Sequence, residues 1–268
     1  MISPITITEI IGRSQQGMTR PFICAADFAI YYVKGAYAGM NSLCCEWVAN
    51  RMVNLALPNA PLGLPTFRMA EVPEALIEGS ARSDIRDLGA GWVFASLRID
   101  DGQELTWSAA QGWPEETMAL LLLIDLWIQN EDRSLSPLGG NPNLLVEQIP
   151  PLPADDPEGA LWVDQPRREM LWAYDFNLAF DEDFNRERFF GAHVFGGMLK
   201  EWPEGFRERM EPYLKHALDE IRAIFAELPP EWLHLDGDES LPVQLDEERV
   251  ISVLELPFTD PDRFWRLP

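Results

Sequence analysis

The spacing of hydrophobic and polar residues changes about a third of the way along the chain. Before residue 97, short stretches rich in β-branched and aromatic residues are bounded by turn-forming residues, which is typical of strands. The predicted strands cover residues 5–12, 21–34, 66–72 and 91–96. A turn from Gly12 to Gly17 is expected between the first two, and residues 42–57 predict a helix with Ser42 as its N-cap.

After residue 97 the apolar residues follow a helical period. A helix is predicted to start at Trp113 and Pro114 and to continue through the almost wholly apolar residues 118–128. A second helical region is predicted over residues 186–228, because apolar residues recur there every three or four positions. These residues are Phe206, Met210, Tyr213, Leu214, Ala217, Leu218, Ile221 and Ile224.

Two further segments complete the pattern. Residues 144–149 and 171–174 predict a hairpin, and the acidic tail from Asp236 onward is expected to be a loop with a short strand over 250–255. Strands first and helices later indicate an α+β fold of two lobes. We place a small β-rich N-lobe at residues 1–96 and a mainly helical C-lobe at residues 97–268.

Composition and charge exclude several classes of function. The formal net charge of −23 argues against binding to nucleic acid or to an anionic membrane, and it fits a protein with a basic protein partner. Three cysteines, two of them adjacent, predict neither a disulfide framework nor a zinc site. The N-terminus lacks a signal-peptide pattern, and the apolar run 118–128 is too short to span a bilayer. We therefore expect a cytoplasmic protein.

Several polar side chains lie at the ends of predicted elements. Lys34 closes an apolar strand, and Asp132 follows the apolar helix in a loop that continues to Asn141 and Asn143. Asp175 follows the second strand of the predicted hairpin. Lys, Asp, Asn and Asp in this order are the chain order of a protein-kinase-type phosphotransferase.

The chemistry of phosphoryl transfer explains this set of residue types. The reaction needs positioning and neutralisation of charge more than covalent help from the protein. A strand lysine can hold nucleotide phosphates, and Asp and Asn oxygens can hold Mg²⁺. A further Asp can orient the attacking hydroxyl and take its proton. Histidine is not needed, and none of the three lies near these segments of the sequence: His193, His216 and His234.

Each of these residues also has an ordinary structural interpretation. Lys34 could be a solvated strand-end lysine, and Glu46 in the next helix a solvated helical carboxylate. The glycines of the Gly12–Gly17 turn occur in many hairpins. Asp125, which precedes Asp132 in the predicted apolar helix, is interpreted as a carboxylate at the edge of the core that pairs with Arg133. It receives no catalytic role.

Taken together, the segments resemble the HipA-like kinases, in particular the compact subgroup without the long N-terminal extension. The resemblance spans about residues 5–233, and its ordered set of short motifs is specific. The similar segments are residues 31–35, 41–49, 63–74, 94–96, 125–133, 141–145, 174–176 and 228–233.

The resemblance implies a role for each site residue. Lys34 would contact the nucleotide phosphates with Glu46 orienting it, and Asp132 would be the catalytic base. Asp175 and either Asn141 or Asn143 would hold Mg²⁺. The residues implied to border the nucleotide are Ser14, Gln15, Gln16 and Gly17 in the turn and Ser96 beside the adenine.

Two departures from the family pattern leave alternatives open. Eight residues separate Asp132 from Asn141, about twice the usual number, so the resemblance does not decide between Asn141 and Asn143 as metal ligand. Asn177 stands where the family has glycine, which should stiffen the loop after Asp175.

The resulting expectation is an ATP- and Mg²⁺-dependent kinase that acts on a Ser or Thr of a protein substrate. By resemblance it could serve as a toxin with an antitoxin partner. The alternatives are a nucleotide-binding pseudokinase that acts as an interaction module, and a kinase of small molecules.

Overall fold

The computed structural model describes residues 2–15, 17–57, 61–148, 169–236 and 238–268. The chain groups into two compact units, each assembled from separate parts of the sequence. The first unit comprises Met1–Trp47, Pro65–Asp100 and Glu227–Leu245, and the second comprises Val48–Leu64, Asp101–Ala226 and Asp246–Pro268. The division into lobes at residues 96 and 97 stays a prediction.

The first unit contains a mixed sheet of six strands within the described residues, in the order β1-β6-β7-β4-β3-β2. The strands are β1 (Ile5–Thr6), β2 (Glu9–Arg13), β3 (Phe22–Ala26), β4 (Ala29–Lys34), β6 (Phe67–Val72) and β7 (Gly91–Leu97). One face of the sheet forms a hydrophobic core that includes Cys24, Val33 and Val93. Leu76 and Ile77 of the short helix α2 (Glu74–Glu78) pack against that core.

The predicted strand over residues 21–34 is wrong, because these residues form a hairpin of β3 and β4. The turn is made by Asp27 and Phe28, whose φ angles of 47° and 62° lie in the left-handed region. The turn predicted from Gly12 to Gly17 also starts later than expected. Gly12 lies within β2, at an irregularity in its pairing with β3.

Helix α1 (Met40–Ala56) begins two residues before Ser42, so Ser42 lies inside the helix and is not its N-cap. Within the first unit, α1 packs by its Trp47 ring against Phe67, with the ring centroids 5.7 Å apart, and Phe67 stacks on Phe94 at 6.3 Å. These aromatic contacts cover the sheet beside the end of β4.

The second unit surrounds a helix that is almost wholly apolar. Its helices are α3 (Trp107–Ala110), α4 (Glu115–Trp127), α5 (Arg186–Ala192), α6 (Phe206–Asp219), α7 (Ile221–Phe225), α8 (Glu247–Leu254), α9 (Leu256–Thr259) and α10 (Pro261–Phe264). Every residue of α4 from Thr117 to Trp127 is buried, as the apolar run predicted. In the described part of the chain, no helix has the length and apolar character needed to cross a membrane.

The second unit also contains short strands, which lie next to its polar candidate residues. They are β5 (Leu62–Gly63), β8 (Gln103–Glu104), β9 (Ser134–Ser136), β10 (Gly139–Asn141), β11 (Leu144–Gln148) and β12 (Glu169–Ala173). The predicted hairpin is confirmed by the antiparallel pairing of β11 and β12, from Leu144 opposite Ala173 to Gln148 opposite Glu169. Ile149, predicted to end the first strand, lies outside the described residues.

The strand predicted over residues 250–255 is wrong, because this segment belongs to helix α8. The Asp246 carboxylate caps the helix by accepting a hydrogen bond from the Arg249 backbone N–H at 2.8 Å. Val250 and Leu254, one helical turn apart, are buried. The apolar residues thus follow a period of four, which the acidic composition of the tail had obscured.

All three cysteines are free and buried. Burial raises the pKa of the Cys24 and Cys44 thiols to about 12. The Cys44 thiol also lies 3.3 Å from the carbonyl oxygen of Trp232, which accepts its hydrogen bond.

Gly35 is expected to tolerate no side chain, because a Cβ there would overlap the Leu88 carbonyl, lying 2.8 Å from its carbon. The Ala36 backbone N–H donates to the same carbonyl at 3.0 Å, so the two segments cannot easily separate. We expect Gly35→Ala to lower the free energy of unfolding by about 1–3 kcal/mol in urea denaturation. Gly12→Ala is the matched control, since a Cβ at Gly12 meets nothing within 4 Å. Equal stability of the two variants would contradict this prediction.

Candidate active site

Lys34 lies at the end of β4 with its ammonium group buried against α1. The side chain is 9% exposed, and its Nζ lies 2.5 Å from Oε1 of Glu46, which is 1% exposed. A buried ammonium and a buried carboxylate each need a partner of opposite charge, and here each has the other among its partners. The structure therefore brings together the lysine and glutamate that the sequence paired, although their roles toward a nucleotide stay predictions.

Ser96 shares the sheet face of Lys34. Lys34 stands opposite Phe94 in the antiparallel pair of β4 and β7, and Ser96 is two residues farther along β7. Because side chains alternate along a strand, Lys34, Phe94 and Ser96 point to the same side of the sheet. This placement is compatible with the predicted contact of Ser96 with the adenine.

The loop from Ser14 to Arg20 joins β2 to β3 at the same end of the hairpin as Lys34, because Arg13 pairs with Phe22 and Phe22 with Val33. The base of the loop is closed by two hydrogen bonds. The Ser14 N–H donates to the Pro21 carbonyl at 2.8 Å, and the Arg13 Nε donates to the Arg20 carbonyl at 2.9 Å.

The residues predicted to cover the phosphates occupy this loop. Ser14 is half-buried, Gln15 and Gly17 are exposed, and Gly17 has a φ of 76°. Gln16 lies outside the described residues. The loop is anchored by the Arg13 guanidinium, whose Nη1 lies 2.5 Å from Asp87 Oδ2.

In the second unit, Asp132 lies beside Asn143. Asn143 is 3% exposed, and its side-chain amide donates to Asp132 Oδ2 at 3.1 Å and to the Asp132 carbonyl at 3.2 Å. Asn141 is exposed in β10. Of the two candidate metal ligands, the structure thus brings Asn143, and not Asn141, to the predicted base.

The extra residues between Asp132 and Asn143 form the antiparallel hairpin of β9 and β10, with Ser134 opposite Asn141. Because the hairpin returns the chain to its starting point, the added length does not separate the two side chains. The departure from the family spacing is therefore accommodated locally.

Asp175 follows β12 in a left-handed backbone conformation, with a φ of 62°. Its segment is tied to that of Asn143, because the Tyr174 N–H donates to the Asn143 carbonyl at 3.2 Å. The Arg133 Nη1 donates to both the Asn143 carbonyl at 2.6 Å and the Tyr174 carbonyl at 3.2 Å. One guanidinium thus holds the backbone next to both proposed metal ligands.

Arg133 is itself held by Asp125, and the predicted pairing of these residues is confirmed. The Arg133 Nε donates to Asp125 Oδ2 at 2.7 Å, and both side chains are 0% exposed. The carboxylate lies fully within the core, not at its edge. Asn130 Nδ2 donates to the other oxygen, Oδ1, at 2.9 Å. Burial alone would raise the Asp125 pKa, but Arg133 and His193 outweigh burial and hold this pKa below its ordinary value.

Sequence reasoning missed His193, which is remote in sequence but adjacent in space. Its Nε2 lies 3.0 Å from Asp125 Oδ2, and the residue is 5% exposed. A signal was present, since His193 stands among apolar residues after α5, where a polar side chain needs a buried partner. Burial lowers the pKa of His193 and outweighs the opposing effect of Asp125.

The residues around Asp175 fit a magnesium ion that arrives with a nucleotide. Mg²⁺ prefers hard oxygen ligands and usually takes one or two from the protein, with phosphates and water completing its shell. Asp175 and Asn143 offer a carboxylate and an amide oxygen on tied segments. Among the described residues, no group of three or more His, Cys, Asp or Glu side chains could hold a metal ion.

Comparison with known proteins bears on the fold and on the family of this chain. The crystal structure of the Helicobacter pylori proinflammatory kinase CtkA is similar with a TM-score of 0.53 at 9% sequence identity, covering 97% of this chain and 95% of that chain. At this identity the likeness shows the fold alone, and it confirms the predicted α+β, kinase-like fold. No curated protein matches the chain.

A family model described as HipA-like kinase matches residues 7–150 and 160–268. Since the match covers most of its length, the chain belongs to the HipA-like kinase family.

Proposed function

We propose that this protein is an ATP- and Mg²⁺-dependent kinase that phosphorylates a Ser or Thr hydroxyl on another protein. The membership in a kinase family supports phosphate transfer from ATP. The observation that carries the proposal is the 3.1 Å contact between Asp132 Oδ2 and the buried amide of Asn143. A base and a metal ligand must be adjacent for the attacking hydroxyl to be aligned with the γ-phosphoryl group.

In this proposal Lys34 contacts the phosphates of ATP. The Glu46 carboxylate, 2.5 Å from its Nζ, restrains the ammonium group and gives it a partner of opposite charge. The loop from Ser14 to Arg20 offers backbone N–H groups to the phosphates, and Ser96 borders the adenine. These roles follow the family resemblance, the position of the loop at the Lys34 end of the β3–β4 hairpin, and the sheet face that Ser96 shares with Lys34.

Asp132 accepts the proton of the attacking hydroxyl, and Asp175 and Asn143 hold Mg²⁺. When bound, Mg²⁺ neutralises the charge that develops on the phosphate oxygens. The half-buried carboxylate of Asp132 is oriented by the Asn143 amide, so that its remaining lone pairs face the hydroxyl. Arg133 keeps the two metal-binding segments at a fixed separation through its bonds to their carbonyls.

The charge of the chain favours an acceptor or partner with a basic surface. A net charge of −23 attracts basic proteins and repels nucleic acid and anionic lipid. A basic protein substrate fits this surface, and so does an antitoxin that binds and restrains a toxin kinase. We therefore propose a basic protein as the partner, either as the substrate or as an antitoxin.

The proposal is tested by incubating the purified protein with ATP and Mg²⁺, alone and with a cell lysate, and mapping added phosphate by mass spectrometry. We expect phosphoserine or phosphothreonine on protein, absent in a reaction with EDTA. Phosphate recovered only on small molecules would indicate a small-molecule kinase. Nucleotide binding without any phosphate transfer would indicate a pseudokinase.

A further inference from the structure

Both ring nitrogens of His193 are engaged, and this fixes its protonation. Nδ1 accepts a hydrogen bond from the backbone N–H of Phe195 at 3.1 Å, so Nδ1 carries no proton. Nε2 lies 3.0 Å from Asp125 Oδ2, which is a carboxylate oxygen and can only accept. His193 is therefore a neutral imidazole with its proton on Nε2.

The surroundings of the ring keep it neutral. Among the described residues, two charged groups act on it, Asp125 of α4 and Arg133 of the following loop, and they act in opposite directions. The rings of Phe189 and Phe195 lie 5.0 and 6.3 Å from the imidazole and carry no charge. Strand β9, whose Ser134 forms a bridge with His193, also contains no charged residue.

The hydrogen bond from His193 is the first link of a buried chain of contacts. Asp125 Oδ2 accepts from both His193 and Arg133, so the imidazole fixes the oxygen that orients the guanidinium. The guanidinium then holds the carbonyls of Asn143 and Tyr174. The neighbour of His193 contributes directly, because the Val194 N–H donates to the Arg133 carbonyl at 3.0 Å.

We infer that His193 is a positioning residue for the catalytic loop: its neutral imidazole, acting through Asp125 and Arg133, fixes the backbone that carries Asn143 and Asp175. This inference rests on the proposed kinase function for its effect on turnover, although the contacts themselves do not depend on it. His193 touches neither nucleotide nor acceptor in this view.

The test compares His193→Leu, which removes the donor, with His193→Gln, whose amide can donate to Asp125 and whose oxygen can accept from Phe195. We expect His193→Leu to lower kcat at least ~10-fold with little change in the KM for ATP, because misplacement acts on the transition-state geometry. His193→Gln should recover most of the loss. His216→Gln, on the exposed side of α6, is the matched control.

Nitrogen NMR of the wild type stays decisive if His193→Leu folds poorly, and hydrogen exchange stays decisive if the wild type transfers no phosphate. Nitrogen NMR of the wild-type imidazoles is straightforward with three histidines in the chain, and it should show His193 neutral with its proton on Nε2. Hydrogen exchange at the backbone amides of residues 143–144 and 174–176 should be only slightly faster in His193→Gln than in the wild type, and much faster in His193→Leu.

The outcomes separate the two proposals. Wild-type protein without phosphotransfer would overturn the kinase proposal, while the exchange at residues 143–144 and 174–176 would still decide whether His193 positions them. A protonated His193, or a folded His193→Leu variant with wild-type exchange and wild-type kcat, would overturn the positioning role.

Discussion

Replacing Asp132 by Asn should leave the binding of ATP and Mg²⁺ intact and reduce phosphotransfer by at least ~10²-fold, since general-base catalysis contributes about that factor. The substitution preserves the shape of the side chain, and the new amide can still offer an oxygen to the Asn143 Nδ2, now 3.1 Å from the carboxylate. The ability to take a proton is lost. Binding is measured by calorimetry and turnover by the rate of phosphate incorporation.

The control for this variant is Asp219→Asn, the same change at an exposed position at the end of α6. It should match the wild type in both measurements. If Asp132→Asn turns over as fast as Asp219→Asn, Asp132 is structural and the base must be sought elsewhere. If it loses nucleotide binding as well, Asp132 contributes to the metal site.

Replacing Asp175 by Asn should abolish most of the Mg²⁺-dependent stabilisation by ATP. A ligand at 100 times its Kd stabilises the folded state by about 2.7 kcal/mol, which a thermal melt readily detects. Removing the negative charge weakens the hold on Mg²⁺ strongly, because a neutral amide oxygen is a poorer ligand for a divalent cation than a carboxylate. The measurement is the shift in Tm on adding ATP, with Mg²⁺ and with EDTA.

Asn is chosen over Ala because the φ of Asp175 is 62°, a conformation that Asn adopts more readily than other residues with a side chain. Asp27→Asn is the matched control, since Asp27 has a φ of 47° and is exposed in the β3–β4 turn. A wild-type protein whose melt does not respond to ATP and Mg²⁺ would contradict the nucleotide site altogether. A full response in Asp175→Asn would exclude Asp175 as the metal ligand.

The elements that the sequence predicted correctly are those with a strong local signal. The helix α4 is almost wholly apolar, and the β11–β12 hairpin has a clear strand composition, so each could be recognised without tertiary information. The errors lie where a local pattern is ambiguous. Asp27 and Phe28 make a tight turn without Gly or Asn, and helix α8 is too acidic to show its buried residues by composition.

Some residues of the candidate site could likewise be predicted from the sequence, and others could not. Lys34, Glu46, Asp132 and Asp175 could be chosen because their residue types and order suit one reaction. The choice between Asn141 and Asn143 could not be made, because it depends on the fold of the β9–β10 hairpin between Asp132 and Asn143. The apolar residues around His193 indicated a buried histidine, but its partner Asp125 could not be identified, because the contact joins residues 68 positions apart.

The burial of the three cysteines has a practical consequence for chemical labelling. A thiol reacts as its thiolate, and thiols with pKa values of about 12, as at Cys24 and Cys44, form almost none near neutral pH. Cys45 is shielded as well, since it is 2% exposed. A fluorophore could therefore be attached selectively to a cysteine introduced at Leu138, which is 99% exposed at the tip of the β9–β10 hairpin, without first removing the native thiols.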